Sequence, residues 1–209
     1  MLEGKLKVAI MASGYGSNFQ AIQDSSVLKE IGVQIVCLVT NNPQAFVIER
    51  ARRVGIPVEI AEHKAFPTRE AYDQELLSRL DKYQPDLICL AGFMRVLSPV
   101  FLRAYARRII NIHPSLLPAF PGIRIHEQVI DYGVRYSGCT VHFVDEGVDT
   151  GPIILQATVP VYDDDTPESL ATRVHEEEYR IYPEAVRLFA QKRLVIDGRR
   201  VKILTPQRA

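Results

Sequence analysis

The chain has 209 residues, of which 47% are hydrophobic, enough for the core of one globular domain that we expect to span residues 1–209. Its 25 Lys and Arg residues equal its 25 Asp and Glu residues, which argues against a broad nucleic-acid or membrane surface. Cys37, Cys89 and Cys139 form no CxxC pair and no metal spacing, so we expect reduced core thiols. Because neither a signal-peptide pattern nor a membrane-spanning apolar run is present, the expected location is the cytoplasm.

Strand-like and helix-like segments alternate through the first half of the chain. Strands are predicted from apolar runs at residues 7–12, 33–40, 58–61, 87–91 and 110–113. Helices are predicted at residues 19–28 and 45–54, from Thr68 onward and from Ser98-Pro99 onward. Four such β-α units imply a parallel sheet with right-handed crossovers.

The second half has a different pattern. Residues 138–145 and 152–161 are predicted strands joined by a short acidic loop, so they should pair antiparallel. A long helix begins at Thr166-Pro167 and is predicted to end near Lys192, and residues 195–201 form a hairpin with a tight Asp-Gly turn. The predicted fold is therefore α/β, with a mixed sheet that is parallel in its N-terminal half, antiparallel in its C-terminal half and flanked by helices.

A glycine-containing turn, Ser13-Gly14-Tyr15-Gly16-Ser17-Asn18, follows the first predicted strand. Amides at the start of the following helix can bind an anion. A single phosphate fits better than a dinucleotide, because the turn matches neither GxGxxG nor a Walker loop. Turns of this composition also occur without any ligand, so both interpretations stay open.

The segment Gly92-Phe93-Met94-Arg95-Val96-Leu97 follows the central predicted strand at its carboxyl end. Open α/β sheets place their ligands at that end of their strands. The apolar side chains of this segment could form the wall of a slot for a flat heterocycle, with backbone groups contacting its edge. They could equally cap the core.

Asn111 and His113 alternate with two isoleucines on a short strand, so they share one face of it. Burying an amide beside an imidazole costs free energy unless both have partners, and this pattern indicates a site. The acidic loop at residues 145–149 offers a carboxylate. Asn, His and Asp together suit the stabilisation and protonation of an oxyanion in acyl transfer. Because the loop lacks the spacing of a calcium or carboxylate-His site, no metal is predicted.

The remaining histidines have weaker contexts. His63 and His126 are assigned to loops, and His142 is interpreted as structural, although Thr140 on the same strand face could lend a hydroxyl to the site. Residues 175–178 (HEEE) form a mostly solvated face of the last helix, from which one side chain could point into a cleft. The run HEEEY lacks the second His of a zinc-binding HExxH motif.

Five stretches in series resemble the family of phosphoribosylglycinamide formyltransferases, the folate-dependent enzymes of purine biosynthesis: VAIMASGYGSNFQAI, AGFMRVLSP, NIHPSLLPAFPG, GCTVHFVDEGVDTGPIILQ and EYRIYPEAV. The resemblance implies a Rossmann-like formyltransferase fold and a one-carbon transferase with 10-formyltetrahydrofolate as co-substrate and no metal. It also implies small-molecule substrates, no nucleic acid or membrane partner, and a monomer or homodimer.

The resemblance assigns roles to individual residues. The ribonucleotide would be bound by Gly16, Ser17, Asn18, His175, Glu176, Glu177 and Glu178, with Glu178 the strongest contact. The folate would be held by Arg69, Met94, Arg95, Val96, Leu97, Asn111, Asp145, Glu146, Gly147, Val148 and Asp149. The catalytic residues would be Asn111 as oxyanion donor, His113 as proton donor and Asp149 as the carboxylate that keeps His113 protonated. Two positions depart from the family pattern: Tyr179, where some relatives carry His, and Arg124-Ile125, often His-Thr or Lys-Ala.

Other functions share the Asn-His-Asp core. A methionyl-tRNA formyltransferase would need an RNA-binding domain, a formyltetrahydrofolate hydrolase an N-terminal regulatory domain, and a sugar-nucleotide formyltransferase a longer chain. A catalytically inactive folate-binding protein would lack His113 or Asp149, and a dinucleotide oxidoreductase would have an acidic residue where Thr40-Asn41-Asn42 ends the second strand. The favoured function is formyl transfer to the ribonucleotide, with the hydrolase or another amine acceptor as the alternative.

Overall fold

The structure, a computed structural model, describes residues 5–205. These residues form two compact units that divide between Asn111 and Ile112. Each unit has its own strands and helices, and each is described by itself below. That residues 1–209 act as a single domain stays a prediction.

The first unit contains a parallel sheet with the strand order β3-β2-β1-β4-β5. Its strands are β1 (Leu6–Met11), β2 (Val33–Thr40), β3 (Val58–Ile60), β4 (Leu87–Leu90) and the start of β5 (Ile109–His113). The parallel arrangement predicted for the first half of the chain is therefore confirmed. The turn after β1 and the segment after β4 both lie at the carboxyl edge of this sheet, where Ser13 donates its backbone N–H to the Gly92 carbonyl at 3.0 Å.

The helices of the first unit are α1 (Ser17–Asp24), α2 (Ser26–Glu30), α3 (Val47–Arg53), α4 (Arg69–Asp81) and α5 (Pro99–Ala104), with a 3-10 turn at His63–Ala65. The prediction of one continuous helix over 19–28 was wrong. Ser25 interrupts it, because its hydroxyl accepts the Leu28 N–H at 3.3 Å and so begins a second helix. Thr68 caps α4 as predicted, accepting the Ala71 N–H at 3.1 Å. The assignment of His63 to a loop was also wrong, since it begins the 3-10 turn.

The second unit contains β6 (Tyr136–Phe143), β7 (Ile153–Pro160), β8 (Leu194–Asp197) and β9 (Arg200–Ile203) in the order β6-β7-β9-β8. The predicted antiparallel pair and the terminal hairpin are both confirmed. The parallel contact of β7 with β9, at Ile153 and Arg200, was not predicted. The α/β class with a mixed sheet and flanking helices is confirmed.

Two helices belong to the second unit, α6 (Ile125–Tyr132) and α7 (Pro167–Ala190). Helix α7 was predicted, and it continues through Pro183. Helix α6 was missed, so the assignment of His126 to a loop was wrong. The reason is local: the helix starts after Arg124 in a left-handed conformation, with φ 53°, and no side chain caps it. A start without a capping residue leaves little trace in a sequence.

The three cysteines are buried, which accounts for their low reactivity. All are free and buried, as predicted, and burial raises the pKa of Cys37 and Cys139 to about 12. Such thiols stay protonated and unreactive near neutral pH. No helix within residues 5–205 is both long enough and apolar enough to cross a membrane.

Candidate active site

The central contact of the second unit joins His113, at the end of β5, to Asp149 in the loop after β6. Their Nδ1 and Oδ2 atoms lie 3.4 Å apart, and both side chains are largely buried, with 5% and 12% exposed. The other ring nitrogen, Nε2, lies 2.9 Å from the backbone carbonyl of Phe120. A carbonyl and a carboxylate both accept hydrogen bonds, so each ring nitrogen of His113 faces an acceptor.

A second imidazole, that of His142 on β6, lies on the other side of Asp149. Its Nε2 is 3.7 Å from Oδ1 of Asp149, beyond hydrogen-bond distance, and its Nδ1 is 2.8 Å from the Phe143 carbonyl. Burial lowers the pKa of His142, and the Phe143 carbonyl and Asp149 offset only part of that effect. Since His142 is then neutral at pH 7, the Asp149 charge is available to His113.

Glycines shape the loop that carries Asp149. A Cβ at Gly147 would overlap the Thr150 hydroxyl, and a Cβ at Gly151 would overlap the Phe143 carbonyl. The two glycines therefore allow a tight backbone around Asp149. Asp149 itself is left-handed, with φ 56°, and its Oδ2 accepts the Gly122 N–H at 2.9 Å. This backbone conformation, uncommon for a residue other than glycine, turns the carboxylate towards His113.

The remaining residues of the loop have different surroundings. Asp145 is hydrogen-bonded within the loop: its Oδ1 accepts the Thr150 hydroxyl at 2.6 Å and the Gly147 N–H at 3.2 Å. Glu146, Gly147 and Val148 are exposed. Within the second unit, Asp149 is thus the loop residue that contacts His113, whereas Glu146, Gly147 and Val148 form the outer surface of the loop.

The segment between His113 and α6 is held by the hydroxyl of Thr140. This fully buried hydroxyl accepts the Leu117 N–H at 3.0 Å and donates to the Ser115 carbonyl at 2.6 Å. It also accepts from Gln156 at 3.0 Å. The hydroxyl predicted to join the network of the site is therefore bonded to the backbone that follows His113, and it supports the segment that carries the Phe120 carbonyl.

Asn111 lies two residues before His113 on β5, so the two side chains leave the same face of that strand. Asn111 is half-buried, while Ile110 and Ile112 are buried on the opposite face. The alternation seen in the sequence is thus present in the strand. An amide and an imidazole at this spacing offer two donors to one developing negative charge.

The turn after β1, predicted to bind phosphate, is fixed by α3. Gly16 is left-handed, with φ 79°, and a Cβ there would overlap Val47. The Val47 N–H also donates to the Gly14 carbonyl at 3.1 Å. Asn18 is buried and Ser17 half-buried in α1, which begins directly after Gly16. Only glycine satisfies both the backbone angle and the close approach at residue 16.

The segment after β4 presents alternate side chains to opposite sides. Met94 and Val96 are 66% and 50% exposed, whereas Phe93 and Leu97 are buried. Arg95 is half-buried. Phe93 and Leu97 are part of the core, whereas Met94 and Val96 are accessible, and their role in the wall of a slot stays a prediction. Arg69, the first residue of α4, is exposed and lies 3.6 Å from Glu70.

The four residues predicted to close over the ribonucleotide lie on different faces of helix α7. His175 and Glu178 lie on one face, with His175 Nε2 4.0 Å from Glu178 Oε2, and Glu178 is buried. Glu176 is exposed, and Glu177 pairs with Arg180 at 2.5 Å. Because neighbouring helical residues point about 100° apart, only His175 and Glu178 share a side of the helix. The structure therefore does not bring Glu176 and Glu177 to that face.

Two residues that the sequence did not assign to a site lie beside these groups. His126 meets the ring of His175 edge-on, with centroids 6.4 Å apart, and His142 contacts Asp149. Some indication for His142 was present in the sequence, because it shares a strand face with Thr140. No indication for His126 was present, because helix α6 was not predicted. Within residues 5–205 no group of three or more His, Cys, Asp or Glu side chains could hold a metal ion.

Comparison with known proteins gives the class to which this geometry belongs. The model of the formyl transferase family matches residues 6–186, across both units. The chain belongs to this family.

Individual relatives agree with the family. The chain is 44% identical over 189 residues to phosphoribosylglycinamide formyltransferase of Escherichia coli K12, covering 90% of this chain and 89% of that protein. It is 49% identical to the solved glycinamide ribonucleotide transformylase 1 of Symbiobacterium toebii, with a TM-score of 0.93 over 96% of this chain and 95% of that one. It is also 48% identical over 182 residues to the trifunctional purine biosynthetic protein adenosine-3 of Drosophila melanogaster, covering 86% of this chain and spanning only 14% of that protein.

Proposed function

We propose that this chain transfers the formyl group of 10-formyltetrahydrofolate to the amine of N1-(5-phospho-D-ribosyl)glycinamide, a step of purine (IMP) biosynthesis. The observation that carries the proposal is the buried His113–Asp149 contact at 3.4 Å, two residues along β5 from Asn111. It occurs in a chain 44% identical to nearly the whole of an enzyme named for this reaction. Phosphoribosylglycinamide formyltransferase is accordingly the proposed activity.

The reaction needs two polar groups at one carbon. The amine of the ribonucleotide attacks the formyl carbon on N10 of the folate and gives a tetrahedral oxyanion. Asn111 donates a hydrogen bond to that oxygen, and His113 donates a second one. On collapse the C–N10 bond breaks and His113 supplies a proton to N10. The attacking nitrogen then passes one of its protons to the imidazole of His113, directly or through water, so charge and protons balance.

Asp149 stabilises the charged form of His113 during these steps, because its carboxylate lies against Nδ1. The Phe120 carbonyl, 2.9 Å from Nε2, occupies the other nitrogen. A substrate oxygen bound at His113 takes the place of this carbonyl as acceptor. Since the ring keeps its contact with Asp149 in that exchange, the proton donor stays oriented when the substrate arrives.

The two substrates are assigned to different groups of residues. Gly16, Ser17 and Asn18 bind the phosphate through amides at the start of α1, where the helix dipole favours an anion. His175 and Glu178 contact the ribonucleotide, and Glu176 and Glu177 at most its surroundings. Folate is held by Arg69, the segment Met94–Leu97, Asn111 and the loop 145–149. The two units act as one formyltransferase domain, in keeping with the family match from residue 6 to residue 186.

The test is a turnover assay that follows the folate absorbance change, with and without the ribonucleotide. Turnover only in the presence of the ribonucleotide, lost in His113→Ala, is the expected result. Conversion of the folate without an acceptor would indicate a hydrolase, and no conversion in either case would overturn the proposed donor. A small-molecule enzyme that is cytoplasmic, metal-free and either monomeric or homodimeric stays the prediction for the remaining properties.

A further inference from the structure

All polar groups of Ser13, the residue after Ala12 at the end of β1, are engaged within the first unit. Its N–H donates to Gly92 O at 3.0 Å, and its carbonyl accepts from Asn42 Nδ2 at 3.2 Å. Its hydroxyl oxygen accepts the backbone N–H of Met94 at 2.8 Å. The hydroxyl hydrogen goes to Oδ1 of Asn41, with an oxygen-oxygen distance of 2.5 Å. Ser13 therefore joins the ends of three neighbouring strands.

The donor and the acceptor in each of these hydrogen bonds follow from the groups involved. A backbone N–H can only donate, so the Ser13 oxygen must accept from Met94 and its single hydrogen is left for Asn41. Asn41 is 9% exposed, and its Nδ2 lies 3.4 Å from His63 Nδ1. The hydroxyl is thus held in one rotamer by a buried amide. Alanine at this position would leave the Met94 N–H without its partner.

The bond at Met94 fixes the start of the segment assigned to the folate. At the end of that segment, the Ser98 N–H donates to the carboxylate of Asp73, which is 1% exposed, at 2.5 Å. The exposed side chains of Met94 and Val96 lie between these two anchors. A shift of the backbone at Met94 would move both side chains, because only Arg95 separates the two residues.

The turn next to Ser13 does not depend on the same hydroxyl. It is held by the Val47 N–H on the Gly14 carbonyl at 3.1 Å and by the Gln20 N–H on the Gly16 carbonyl at 3.0 Å. The contact from Asn42 goes to the Ser13 carbonyl, which alanine keeps. Loss of the hydroxyl should therefore change the folate segment and spare the turn assigned to the phosphate.

We propose that Ser13 is a positioning residue for the formyl donor, through its hydroxyl and Met94, although in sequence it adjoins the turn for the other substrate. The inference rests on the proposed function for its assignment of the two substrates. It predicts that Ser13→Ala raises KM for 10-formyltetrahydrofolate roughly 3- to 10-fold, the loss of about one hydrogen bond. KM for the ribonucleotide should change less than about twofold, and kcat should stay close to wild type, since no reacting atom is touched.

The matched control is Ser25→Ala. Ser25 is in the same unit and also accepts a backbone N–H, that of Leu28 at 3.3 Å, but it contacts neither segment. Both variants should lower the melting temperature, and only Ser13→Ala should raise the folate KM. Ser13→Thr keeps a hydroxyl and should restore the folate KM towards wild type. Equal rises in both KM values, or none in Ser13→Ala, would overturn the inference.

Binding separates this inference from the proposed function. If the wild-type chain shows no turnover with the ribonucleotide, the proposed acceptor fails, and calorimetric titration with tetrahydrofolate then decides on Ser13. Weaker binding in Ser13→Ala than in both wild type and Ser25→Ala would support the inference. Equal binding in all three, or no binding to the wild type, would overturn it.

Discussion

Oδ2 of Asp149 lies 3.4 Å from Nδ1 of His113, and the same oxygen accepts the Gly122 N–H at 2.9 Å. One carboxylate oxygen thus links the imidazole of His113 to the segment that precedes α6. Because Asp149 is left-handed, its side chain reaches His113 from a loop in which Glu146, Gly147 and Val148 are exposed.

Replacing Asp149 with Asn should lower kcat by roughly 10²–10⁴, because a neutral amide cannot stabilise an imidazolium at His113. Asn adopts the left-handed conformation readily, so the backbone at φ 56° is preserved and the melting temperature should change little. The measurement is steady-state kinetics beside thermal unfolding. Asp163→Asn, which neutralises a carboxylate in an exposed ion pair with Arg135, is the control and should keep wild-type kcat. Wild-type turnover in Asp149→Asn would rule out the role of the carboxylate.

Asn111→Ala should lower kcat by on the order of 10²–10³, the usual cost of removing one oxyanion donor. The oxyanion exists only after attack, so the loss should fall on kcat more than on KM for either substrate. Asn111 is half-buried, so thermal unfolding of the variant is measured beside the kinetics to separate a loss of fold from a loss of chemistry. A variant in which KM rises and kcat stays at the wild-type value would show that Asn111 binds the ground state instead.

Sequence patterns were sufficient wherever a residue's role is set by its neighbours in the chain. The strand β2 was predicted with its bounds at Val33 and Thr40, and Thr68 was predicted as the cap of α4. The alternation of Asn111 and His113 likewise follows from strand geometry alone. These features need no knowledge of the tertiary structure.

Contacts between residues that are distant in sequence could not be predicted from such patterns. The carbonyl that bonds His113 belongs to Phe120, and a backbone atom leaves no trace in residue types. The contact of His142 with Asp149 depends on a loop conformation with positive φ, which is uncommon for residues other than glycine. The four residues of HEEE divide between different faces of α7 for another reason: a helix turns by about 100° per residue, so consecutive side chains point in different directions.

Gly16→Ala should weaken binding of the ribonucleotide, because residue 16 has φ 79° and its Cβ would overlap Val47. We expect KM for the ribonucleotide to rise on the order of tenfold, as for loss of one hydrogen bond to a charged group. The free energy of unfolding should fall by about 2 kcal/mol from backbone strain and overpacking. Gly14→Ala is the matched control, since a Cβ there meets nothing within 4 Å. Similar KM values in the two variants would contradict the role of the turn.

Thr140→Val keeps the shape of a fully buried side chain and removes its hydroxyl. The Leu117 N–H and the Ser115 carbonyl would both lose a partner, at a cost of about 2–4 kcal/mol in the free energy of unfolding. Urea denaturation measures the change. Thr140→Ser keeps the hydroxyl and should recover most of the loss, while Thr158→Val, on an exposed position of β7, should have almost no effect. Equal stability of Thr140→Val and wild type would contradict the predicted cost.

Histidine burial sets a pH limit on stability. Burial lowers the pKa of His126 from 6.5 to about 4, and the nearby charges of His175 and His113 act in the same direction. Its Nδ1 has no hydrogen-bond partner within residues 5–205. The unfolded chain takes up this proton near pH 6.5, and the folded chain takes it up only near pH 4. Since the unfolded state binds more protons across that window, stability must fall as pH falls through it.

His126→Gln removes this titrating group and keeps a neutral polar side chain on α6. The free energy of unfolding of wild type should fall by about 1–2 kcal/mol more than that of the variant between pH 7 and pH 4.5, a value reduced for the partial exposure of His126. His142, whose pKa burial also lowers, remains in both proteins and contributes the same loss to each. Urea titrations at several pH values measure the difference in slope. Parallel stability curves for the two proteins would mean that His126 titrates alike in the folded and unfolded chain.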